Sequence, residues 1–101
     1  MDKKLDAMDH VAISVPDIGE ALDWYSRHFN CEVLYRDESW ALVQFSNIKL
    51  ALVLPSQHPP HIGFYTAKAG EFGPLKAHRD GTKSVYITDP AGNSLELLAT
   101  G

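Results

Sequence analysis

Three residues far apart in the chain are suited to chemistry: His10, His61 and Glu96. They sit in the apolar runs DHVAIS, HIGFYT and SLELLA. A neutral imidazole offers one ring nitrogen to a divalent cation, and a carboxylate offers oxygen. Two imidazoles and one carboxylate, with positions left open, are the donor set of the facial triad that holds non-haem Fe2+. The same set suits other divalent metals. A cation would also account for Glu96, whose carboxylate is flanked by Leu95, Leu97 and Leu98 and is costly to bury unpaired. Each residue alone has a plainer reading. A histidine at a strand start is commonly exposed or hydrogen-bonded, and a strand glutamate commonly lies on a solvated face. The placement of the three is what favours the set.

The elements that place them follow from periodicity. DHVAISV (9–15) alternates as a strand, with Val11, Ile13 and Val15 on one face and His10, Ala12 and Ser14 on the other. Pro16 ends it. Asp17 predicts a helix N-cap, with Glu20 completing a capping box. Ile18, Leu22, Tyr25 and Phe29 form the buried stripe of that helix, and Asn30 is its expected left-handed terminator. CEVLYR (31–36), WALVQF (40–45) and IKLALVL (48–54) read as three strands, so the first half is β-α-β-β-β. PSQHPP (55–60) is a connector, because its prolines remove backbone donors and restrict their neighbours. HIGFYT (61–66) is a strand. Residues 68–81 carry three glycines, a proline and no helical stripe, which predicts loop with a short strand near Leu75 to His78. KSVYIT (83–88) and SLELLA (94–99) are strands joined by the turn DPAGN, where Pro90 fixes φ and Gly92 or Asn93 turns left-handed.

The two halves repeat. DHVAIS resembles PHIGFY, and IKLAL resembles NSLEL. This predicts one domain of two similar modules, about 9–54 and about 60–99, the second lacking its helix. The repeat sets His10 and His61 at equivalent points of two first strands and Glu96 on a last strand. If the modules pair pseudo-symmetrically, the three side chains meet. The missing helix leaves one sheet face without its cover, and a partner subunit is the economical way to bury it, so a homodimer is expected.

Composition narrows the classes. The 101 residues are 45% hydrophobic and 22% charged, with a scattered net charge of −4. That disfavours a general nucleic-acid or anionic-membrane binder. The lone Cys31 allows no intramolecular disulfide and fits a reducing cytosol. No apolar run reaches membrane-spanning length and the start carries no signal-like segment, so a cytoplasmic protein without a membrane partner is expected.

The order DHVAISVPDIGEALDWYSRHF, then HIGF, then VYITDPAGNSLELLA resembles the vicinal-oxygen-chelate superfamily, the glyoxalase, bleomycin-resistance and extradiol-dioxygenase group. The likeness runs from Asp9 to Ala99, except about residues 67–80. It implies an α+β fold of paired βαβββ modules whose curved mixed sheet forms a cleft. It implies metal ligands at His10, His61 and Glu96, and a small-molecule substrate held through adjacent oxygens. Fe2+ or Mn2+ is favoured, with Zn2+ or Ni2+ possible. The four-ligand glyoxalase I pattern is broken at the repeat partner of Glu96, which is Ala51. Three ligands suit extradiol dioxygenases and fosfomycin-resistance transferases. The extradiol signature is similar to His78, Val85-Tyr86, Asp89-Pro90-Ala91-Gly92 and Glu96, though Lys76 departs from its first position. It implies that His78 and Tyr86 line the pocket and bond substrate or bound oxygen. Tyr86 as a plain strand aromatic and His78 as an exposed loop residue stay open. So do two other functions within the superfamily: a metal-free, drug-sequestering dimer and a degenerate member without chemistry.

Overall fold

The computed structural model describes residues 5–78 and 81–99. Among them are one α-helix, one short 3-10 helix and eight strands, an α+β chain. Two compact units are present, one of residues 10–61 and the other formed mainly by the chain from Ile62 onward.

The first unit has the element order β-α-β-β-β. It holds most of β1 (Ala7–Ser14), then α1 (Ile18–His28), β2 (Glu32–Arg36), β3 (Trp40–Gln44) and β4 (Lys49–Val53). The spatial order β2-β3-β4-β1 makes a mixed sheet. β1 runs parallel to β4, and β3 is antiparallel to both β4 and β2. The helix starts where the sequence says it should. Asp17 is extended and its side chain accepts the Glu20 amide at 2.9 Å, which satisfies one of the otherwise unpaired first-turn donors. Its C-terminus differs from expectation. Phe29 caps it in an extended conformation, giving its N–H to the Tyr25 carbonyl, and no described non-glycine residue has positive φ. Asn30 is not a left-handed terminator, because the chain turns straight from extended Phe29 into β2. Phe29 is also 49% exposed rather than buried; it lies against Tyr25 and Phe45.

Alternation along the strands gives this unit two faces. Ile18 and Leu22 of α1 pack on Ala41, Val43 and Leu52, with Ile13 and Val15 beside them. Ala12, Ala51 and Val53 form a second cluster with Trp40 and Leu42. Parallel register pairs His10 with Lys49 and Ala12 with Ala51, so His10 stands on the face opposite the helix. Among the described residues, strand β2 pairs only with β3; it is exposed throughout, with a register shift between Val33 and Tyr35.

The second unit carries most of β5 (His61–Thr66), then β6 (Lys76–Ala77), β7 (Lys83–Thr88) and β8 (Ser94–Ala99), in the order β5-β8-β7-β6. Where the first module has its helix, this one has the 3-10 turn Ala69–Phe72, anchored by the fully buried Ala69. The sequence expectation for this segment was loop, and the turn is too short to show a stripe. The DPAGN turn is organised by Asp89. Its Oδ1 accepts the amides of Ala91 and Asn93, each at 2.9 Å, and its Oδ2 accepts the Asn93 side-chain amide. Gly92, at φ +89°, is the left-handed residue, a conformation that costs glycine little. The tight hairpin holds β8 antiparallel to β7 with Glu96 opposite Tyr86.

Candidate functional site

His10 and His61 lie within one unit, both buried at 9% and 8% exposure. Their Nε2 atoms are 3.1 Å apart and their rings meet edge to face. The other ring nitrogen of His61 settles the protons. Its Nδ1 lies 2.9 Å from the Pro59 carbonyl, which can only accept. His61 therefore carries a proton on Nδ1, and in the neutral ring its Nε2 is the acceptor. His10 donates its Nε2–H to that nitrogen. Two neutral imidazoles so placed would be able to hold a divalent cation through their ring nitrogens.

Glu96 is built in the other unit. It sits on β8 at 8% exposure, between buried Leu97 and half-buried Leu95 in the chain. Three side chains of its own unit surround its carboxylate. Ser84, opposite Leu98 on β7, donates its hydroxyl to Oε2 at 2.8 Å. His78 Nε2 is 3.6 Å from the same oxygen and 2.6 Å from Ser84 Oγ. Tyr86 hydrogen-bonds to the carboxylate, and its own pKa is pushed up to about 12, first by burial and then by the charge of Glu96. Tyr86 thus stays a neutral donor at any physiological pH. These groups stabilise a carboxylate that the flanking leucines alone would destabilise.

Among the described residues, His10, His61 and Glu96 are all buried, and each offers an atom of a type that can ligate a metal ion. The position equivalent to a fourth donor is Ala51, 4% exposed and packed against Ala12 and Val53, and it has no donor atom. His78 and Tyr86 both turn to Glu96 through the bonds just described. His28 is elsewhere, stacked on Trp24 with its Nδ1 2.7 Å from the Trp24 carbonyl, and His58 is exposed in the connector. Ser84 drew no attention in the sequence, since a serine inside a strand belongs to no motif. Its partners meet it in space: the His78 amide bonds the Thr82 carbonyl, and the pairing of β7 with β8 sets Ser84 beside Glu96.

Comparison with known proteins agrees with this architecture. A family model described as the glyoxalase/bleomycin resistance protein/dioxygenase superfamily matches residues 9–89. No curated protein sequence matches the chain. Among solved structures, a Streptomyces coelicolor methylmalonyl-CoA epimerase is 17% identical, with a TM-score of 0.74 over 97% of this chain and 99% of that one. A superfamily member from Vibrio splendidus is 10% identical, with a TM-score of 0.73 over 95% and 100%. A hypothetical protein from Bacillus halodurans is 14% identical, with a TM-score of 0.72 over 97% and 96%. At such identities these structures show a shared fold. The family match covers most of the sequence, and the chain belongs to the glyoxalase/bleomycin resistance protein/dioxygenase superfamily.

Proposed function

We propose that the protein is a metal-dependent enzyme in which His10, His61 and Glu96 bind one divalent cation, Fe2+ or Mn2+ before Zn2+ or Ni2+. The observation that carries this reading is the pair of buried Nε2 atoms 3.1 Å apart. The donor chemistry fits: two imidazoles, one anionic oxygen and no further ligand at Ala51 leave room for a substrate. When bound, such a cation acts as a Lewis acid and as a template for two adjacent substrate oxygens. The chain's own residues do the rest. The Pro59 carbonyl orients His61. Tyr86 and Ser84 direct the Glu96 carboxylate through their hydrogen bonds.

The substrate reading is a small molecule with vicinal oxygens, and a catechol-like diol cleaved by dioxygen leads. The placement of Tyr86 and His78 around Glu96, in the spacing of the extradiol signature, supports it. A homodimer completes this reading, since β2, at the end of the strand order, offers exposed Val33, Leu34 and Tyr35 to strand pairing.

The test is metal content of protein purified without chelator, alongside Glu96→Ala. Stoichiometric iron or manganese in the wild type, absent from the variant, supports the reading. Dioxygen uptake with catechols tests the leading reaction. A wild type that takes up no divalent metal, yet binds flat cationic drugs tightly, would replace this reading with sequestration.

A further inference from the structure

We propose that Ser84 is a positioning residue that fixes Glu96 and His78 together. Its hydroxyl is the middle link of a hydrogen-bond chain with one possible direction. Ser84 is 1% exposed. Its Oγ lies 2.8 Å from Glu96 Oε2 and 2.6 Å from His78 Nε2. A hydroxyl has one proton to give. An ionised carboxylate can only accept, so that proton goes to Glu96. The remaining Ser84 lone pair then accepts the Nε2–H of His78. The chain reads His78 to Ser84 to Glu96.

The strand register makes this arrangement specific. Ser84 and Tyr86 are two residues apart on β7, on the face that carries Glu96 and Leu98 of β8. Ser84 also pairs with Lys76 of β6, the short strand that leads to His78. A single buried hydroxyl therefore ties three elements of the sheet to one carboxylate oxygen. Removing it would take one donor from Glu96 Oε2 and leave His78 Nε2 at 3.6 Å from that oxygen. A glutamate side chain has three rotatable bonds. Without the Ser84 bond its carboxylate samples more orientations, and His78 loses the contact that selects its tautomer.

The importance of this for metal binding rests on the reading of Glu96 as a donor. Groups that orient a ligand typically contribute 10- to 100-fold to affinity. The experiment uses Mn2+ alone as the probe, with Ser84→Ala and Ser84→Thr, and measures free Mn2+ by electron paramagnetic resonance. In parallel, nitrogen NMR of the metal-free protein reads which His78 ring nitrogen carries the proton. Ser84→Ala should bind Mn2+ about 10- to 100-fold more weakly and shift the His78 ring pattern away from Nε2–H. Ser84→Thr, which keeps the hydroxyl, should restore both. A merely space-filling serine would leave the ring nitrogens unchanged. The proposal is overturned if Ser84→Ala keeps the wild-type His78 pattern, whatever its Mn2+ affinity. Should the wild type take up no Mn2+, the metal reading falls on its own, and the NMR comparison still decides whether Ser84 positions these two side chains.

Discussion

The replacement Glu96→Gln separates metal binding from packing. Gln keeps the size of the side chain and an oxygen that can accept from Ser84 and Tyr86, but it removes the sole negative charge of the donor set. With Mn2+ at about 100 times its dissociation constant, linkage stabilises the wild type by about 2.7 kcal/mol. For a chain of 101 residues that corresponds to a rise in Tm of about 10–20 °C. Exchange of the carboxylate for a neutral amide should weaken binding at least about 100-fold, beyond the effect of losing an orienting partner. At the same metal concentration the stabilisation then falls to about 0.4 kcal/mol, a rise of about 2–3 °C. Without metal the two proteins should melt at similar temperatures, because the charge that Gln removes was itself costly to desolvate. Calorimetric melts with Mn2+, and with Mn2+ plus chelator, measure all four values. An equal rise in both proteins would refute the role of the Glu96 charge. A metal-free variant that fails to fold cooperatively would show instead that the carboxylate is chiefly structural.

Other outcomes follow from particular contacts. Absorbance titration should find one phenol ionising near 12, after the other tyrosines, and Tyr86→Phe should abolish it. Because the folded value is raised above the ordinary tyrosine value of about 10, the contribution of Tyr86 is complete below that pH and lost as pH rises through about 12; a single transition near 10 would contradict the Glu96 contact. Tyr86→Phe should cost about 1 kcal/mol in urea unfolding, a discounted value because the ring is 44% exposed. In acid, two exposed turns should weaken. Tyr35, Ser39 and Trp40 hold Asp37 well below the usual carboxylate range, and Asn93 with its neighbouring amides lowers Asp89. Both depressed groups stabilise the fold above their unfolded values and lose that contribution as pH falls below about 4. The urea midpoint should therefore drop in this range and drop less in Asp37→Asn with Asp89→Asn; parallel curves would assign acid sensitivity elsewhere. Leu52→Ala, at a fully buried position between α1 and the sheet, should cost about 3 kcal/mol, and a loss below about 1 kcal/mol would mean that the core collapses around the gap.

Much of this chain is legible locally. The alternation of DHVAIS and SLELLA, the Asp17 cap and the DPAGN turn each depend on neighbours within a few residues, where period and φ preference act. Those signals placed the strands, the helix start and the turn that sets Glu96 opposite Tyr86. The repeat pointed to His10 and His61 together, and the alanine at position 51 was readable as a missing donor. Local signals failed where a neighbour in space decided. Asn30 has the type of a helix terminator, but extended Phe29 already leads into β2. Phe29 has the spacing of a core residue, yet its ring remains half exposed beside Tyr25 and Phe45. Composition along the chain determined by itself which residue types were available for metal chemistry. Tertiary structure decided their protons and partners: the Pro59 carbonyl holds the His61 proton on Nδ1, and Ser84 joins His78 to Glu96. Hydrogen bonds are directional and short-ranged, so these choices depend on atoms meeting within about 3 Å, a condition that spacing along the chain does not contain.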